Sequence, residues 1–131
     1  MEDEIKKLLD KTFYYINGLY TNAVSARNTA IEMTERFESI KAALQINEHI
    51  DNIELLHRQG KERIKETVEV VEKRIKDASE TETAEIKAML DENIALWHQA
   101  LDKIKAEKDS LLNIADDVTE AKLNKPIIEN D

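Results

Sequence analysis

From Leu90 onward the apolar residues of this chain fall at gaps that alternate between four and three. They are Leu90, Ile94, Trp97, Leu101, Ile104, Leu111, Ala115 and Val118, with Lys108 alone off the pattern. An α-helix, at 3.6 residues per turn, puts such positions on one face, whereas a strand needs a period of two. Four heptads of this spacing describe a narrow, coiled-coil-like seam. An earlier seam reads Ile46, Ile50, Ile53, His57, Gly60, Ile64, Val68, Val71, Ile75 and Ala78, with an extra four-residue step at 64–68 that shifts its phase. Two glycines and one proline in 131 residues are too few breakers for the turns of a sheet protein. The sequence therefore predicts an all-α fold: an elongated antiparallel bundle of three to four long helices with coiled-coil-like seams.

The helices are expected over 3–17, 22–45, 48–78 and 83–120. Residues 1–123 then form a single helical-bundle domain, and 124–131 a C-terminal tail that leaves the helix at Pro126. Ser79 and Glu82 form a capping box, which places a turn at 78–83; the competing reading is one continuous helix with a stutter across 82, 86 and 90. Asn47 is a weaker cap signal. Asn17-Gly18 is a turn signal with Asn22 as a new cap, although the first two segments equally read as one kinked helix. Gly60 stays inside a helix, because the cations of Lys61-Glu62-Arg63 oppose the dipole of any helix starting there.

Net charge is −9. Residues 1–31 are neutral, so the excess acid belongs to 32–131. Such a chain is repelled by phosphate backbones and anionic bilayers, which argues against direct nucleic-acid or membrane contact and leaves room for a basic protein partner. There is no cysteine, hence no disulfide framework and no thiolate chemistry. The charged start, MEDEIKKLLDK, has no apolar signal-peptide core, and a cytoplasmic setting is expected. No phosphate loop, dinucleotide turn, nucleophile elbow or double-histidine zinc motif is present. Glu54 and His57 form a single Glu-x-x-His, where a carboxylate-bridged metal pair needs two copies and two more glutamates. No enzyme activity, cofactor or metal site is therefore expected.

Thr12–Ile31 stands apart. Charged residues make up 36% of the chain, yet Arg27 is the only one in these twenty positions, and four of the six aromatic residues lie here. Such a stretch is either packed inside the fold or offered to a partner. Phe13, Tyr14, Tyr15 and Tyr20 are amphipathic or apolar anchors of the kind found at interfaces. Ala23, Ala26 and Ala30 let a second helix approach closely, and Arg27 suits a carboxylate across an interface. These eight residues are the candidate partner-binding set. Trp97 reads as a core anchor or an interface hot spot, with an indole N–H that needs an acceptor once buried. The function expected is that of a non-enzymatic interaction or structural protein, an adaptor, scaffold or assembly factor that is also a homo-oligomer. The alternative is an acidic regulator or inhibitor that occupies a basic surface of its partner.

Overall fold

The computed structural model describes the backbone of residues 2–36 and 40–129, and the side chains of 2–33 and 46–117. Among the described residues the chain is all-helical. Helix α1 spans Glu2–Arg36, α2 spans Ile40–Arg74, and α3 spans Glu80–Glu129, with a 3-10 turn at Ile75–Asp77 between the last two. At the standard rise, 35 residues measure about 52 Å and 50 residues about 75 Å.

Each helix packs against the other two. Arg74 reaches Glu4, and the Thr67 hydroxyl meets that of Thr12, so α1 and α2 run in opposite directions. Lys108 lies opposite Glu54 and Leu101 opposite Gly60, so α2 and α3 are also opposed. Tyr20 faces Lys103 and Arg27 faces Glu107, so α1 and α3 run the same way. The core between them is built from Ile5, Leu9, Ile16 and Leu19 of α1, Ile53, Ile64 and Val71 of α2, and Ile86, Trp97, Ile104 and Leu111 of α3. On α3 the covered stripe is wider than the two-in-seven seam of the sequence, since Ala100 is buried beside Leu101 and Met89 packs beside Leu90.

The turn at 78–83 is present, and a continuous helix across it is not. Ala78 is extended (φ −86°, ψ 157°). Ser79 then starts α3: its Oγ accepts the Glu82 N–H at 3.2 Å and its carbonyl accepts the Thr83 N–H at 2.8 Å. α3 thus begins at Glu80 rather than 83.

Four other expectations fail. There is no turn at Asn17-Gly18 and no new cap at Asn22: α1 runs unbroken, and Thr21 Oγ1 donates back to the Asn17 carbonyl. Gly18 costs about 1 kcal/mol in a helix interior, but a break there would uncouple the buried Ile16 from Leu19 and Ala23, whose burial is worth more. No break occurs at Asn47 for the same reason, because Ile46, Ile50 and Ile53 are buried along one uninterrupted helix. The helix expected over 22–45 is divided between α1 and α2, and residues 37–39 lie outside the described residues. Finally, α3 continues through Pro126 to Glu129. Proline's fixed φ is itself helical, so its cost falls on one missing donor and a crowded preceding turn.

Two places in the core are not simply apolar. At Gly60 two leucine side chains close on the α2 backbone: an added Cβ would lie 2.6 Å from Leu101 Cδ2 and 3.4 Å from Leu19 Cδ1. Thr12 and Thr67 are both buried, with their hydroxyl oxygens 2.8 Å apart. Each hydroxyl is also positioned to donate to the carbonyl four residues earlier, Leu8 at 3.0 Å and Arg63 at 2.9 Å. A hydroxyl carries one proton. Two protons therefore serve three possible bonds, and at any moment one goes unmade.

Candidate functional site

The charge-poor segment divides by face. On α1, Thr12, Ile16, Leu19, Ala23 and Ala30 are buried, at the three- and four-residue spacing of one helical face. The opposite face carries Tyr14, Gly18, Thr21, Ser25 and Thr29, all exposed, with Asn17, Asn22 and Asn28 beside them. From Tyr14 to Thr29 no exposed residue is charged. The stripe is narrow and low: a Cβ built on Gly18 meets nothing within 4 Å, and its neighbours are Thr and Ser.

Two aromatics stand at the N-terminal end of this stripe. Tyr14 is 72% exposed and Tyr15 is 40% exposed. Tyr14 points away from the core, edge-on to Phe13 at a ring distance of 6.2 Å. Tyr15 lies at the α1–α2 border with the Arg63 guanidinium 5.1 Å from its ring centre, and Tyr20 lies at the α1–α3 border with Lys103 Nζ at 5.8 Å. Both cations sit within cation–π range and flank the uncharged stripe from either side.

The eight candidate residues therefore separate. Tyr14 and Tyr15 are open to contact. Phe13, Tyr20 and Ala26 are half-buried against the core. Ala23 and Ala30, expected on a partner surface, are instead sealed in the chain's own core, so the close approach they permit is to α2 and α3. Arg27 pairs within the chain: its Nε donates to Ser110 Oγ at 3.3 Å and lies 3.3 Å from Glu107 Oε2. That glutamate oxygen is buried and accepts no hydrogen bond among the described residues, so the contact is one of charge only.

The stripe residues Gly18, Thr21, Asn22, Ser25, Asn28 and Thr29 are missing from the candidate set. A signal for them was available: they lie about half a turn from Ile16, Leu19 and Ala23. Helical spacing gives both faces equally and does not say which of them the other helices cover. Trp97 is fully buried, as a core anchor, and its Nε1 finds no acceptor among the described residues. Such an orphan costs about 1–3 kcal/mol. Glu54 and His57 line a groove between α2 and α3, facing Lys105 and Lys108.

Among the described residues no helix is long and apolar enough to cross a membrane. No protein family, curated protein or solved structure matches the chain.

Proposed function

We propose that this chain is a non-enzymatic interaction or assembly protein whose contact surface is the outer face of α1. The observation that carries the reading is the run of exposed, uncharged residues from Tyr14 to Thr29. Removing a charged face from water leaves charges unpaired; removing this one does not. Tyr14 and Tyr15 supply large anchors with few rotors to fix, and the Gly18–Ser25 stretch leaves space for a neighbouring helix. In this reading the three helices form an elongated up-down-up bundle with coiled-coil-like seams, and α1 lends its outer face to a helix of a partner, including a second copy of the chain. A cytoplasmic setting belongs to the same proposal, since a chain without cysteine has no need of an oxidising compartment.

The test is sedimentation velocity, with capture from native lysate alongside, for the wild type and for Tyr14→Glu and Ser25→Glu. Association is expected to be lost in both variants and to be insensitive to salt in the wild type. A monomer that captures nothing would sink the proposal. Binding that survives both variants but weakens steeply with salt would instead assign the contact to the acidic residues of 32–131.

A further inference from the structure

The apolar seams of α2 and α3 are each broken by polar residues, and the fold brings these breaks together. His57 interrupts the α2 seam and Lys108 the α3 seam, and both line one groove of about 210 Å³. Its apolar wall is Ile53 and Ile104, both fully buried. Arg58 and Lys61 stand on the α2 side and Lys105 beside Lys108 on the α3 side, against the single carboxylate of Glu54. Having no side chain, Gly60 leaves room for Leu101 against α2 one turn from His57, and the cations of the two helices line the same groove.

This is an unusual arrangement in a chain of net charge −9. Acidic side chains are abundant, yet the lining holds four cations and one carboxylate. Glu54 Oε2 lies 3.9 Å from Lys108 Nζ, at the outer limit of an ion pair, and both side chains are partly solvent-exposed. Like charges held together on two helices repel, and an anion between them removes that cost.

We propose that this groove binds a small phosphate-bearing anion. A phosphate group brings three acceptor oxygens and close to two negative charges at neutral pH, matching several cations at once. Arg58 offers a planar fork to two oxygens and the lysines act as movable point charges. The volume lies below the roughly 300–1,000 Å³ of drug-sized pockets, which favours a compact group. Dependence on pH follows from His57. On α2 it faces Glu54, Arg58 and Lys61; on α3 it faces Asp102, Lys105 and Lys108. Burial, then Lys61, Lys105 and Lys108, holds its pKa below the ordinary 6.5, while Asp102 works the other way. A bound anion offsets the lysines, raises the pKa and turns His57⁺ into a further donor. Binding of the dianion is therefore linked to proton uptake at the His57 ring, read as a rise in that ring's own pKa.

The probe is inorganic pyrophosphate at low ionic strength, with the His57 ring followed by NMR. The ring is titrated with pH in the absence and presence of the anion. Saturable His57 shifts and a raised His57 pKa are expected at millimolar pyrophosphate or below. Lys61→Gln and Lys105→Gln, both at exposed positions that leave the core untouched, should each weaken binding about tenfold. Lys87→Gln, exposed and far along α3, should change nothing. The proposal is overturned if His57 does not respond, or if Lys87→Gln weakens binding as much as the groove variants. It is also overturned if saturable binding appears only with a single-stranded oligonucleotide, which would make the groove part of a nucleic-acid surface.

Discussion

The two faces of α1 between Thr12 and Ala30 share a lack of charge and have opposite fates. Inward, Thr12, Ile16, Leu19, Ala23 and Ala30 are buried; outward, Tyr14, Gly18, Thr21, Ser25 and Thr29 are exposed. Both lack charge. On the inner face this is a requirement of folding, because an unpaired charge cannot be held among Ile53, Trp97 and Ile104. On the outer face folding makes no such demand, since water would accept Lys or Glu at every position, as it does on much of α2 and α3. Low charge thus carries information about function only where burial does not already account for it.

Substitutions across the helix test that contrast. Ala23→Glu should be the most damaging, burying an unpaired carboxylate at a cost of several kcal/mol, enough to unfold a small domain. Circular dichroism that still shows a cooperative melt near the wild-type temperature would mean the inner face is not sealed. Arg27→Ala comes next, at about 1–2 kcal/mol. It removes the cation from beside the buried Glu107 oxygen and the donor to Ser110. Urea titration measures it, and Glu107→Gln in the same background should restore part of the loss.

Thr12→Val should cost about 1 kcal/mol or less, because Thr67 keeps the Arg63 carbonyl as its acceptor. The double variant Thr12→Val, Thr67→Val should be no worse than the single one, since it leaves no hydroxyl behind. A strongly additive double-mutant cycle would contradict the shared-proton arrangement. Tyr14→Glu and Ser25→Glu should be the mildest, within about 0.5 kcal/mol in urea titration at dilutions where the wild type is monomeric. A large loss there would show that the outer face has a structural role in the single chain.

Much of the fold was legible because it rests on short-range rules. The three-four spacing identified helices, and the Ser79–Glu82 pair marked a turn that local hydrogen bonds create. The misplaced breaks share a cause. Asn17-Gly18 and Asn47 are local turn signals that lie within stretches whose neighbours are buried on one face, and tertiary burial outweighed about 1 kcal/mol of local preference. The candidate surface was half legible. Absence of charge singled out Thr12–Ile31, but period alone tells which residues share a face and not which face α2 and α3 will cover. The meeting of His57 with Lys108 was out of reach, since it needs the hairpin geometry that sets α2 against α3.

Gly60 fixes more than a distance. Leu101 from α3 and Leu19 from α1 both close on it, so one point on each helix is tied to the other two. Adding a single residue to α2 after Gly60, or to α3 before Leu101, turns that arm by about 100° and advances it about 1.5 Å. A side chain would then crowd Leu101 and Leu19 at the point where Gly60 leaves them room. Changes in chain length should therefore be tolerated in the short connection around Asp77–Ser79 and rejected on either arm. That connection is the place to splice in a tag or reporter without losing the packing on which both faces of the molecule depend.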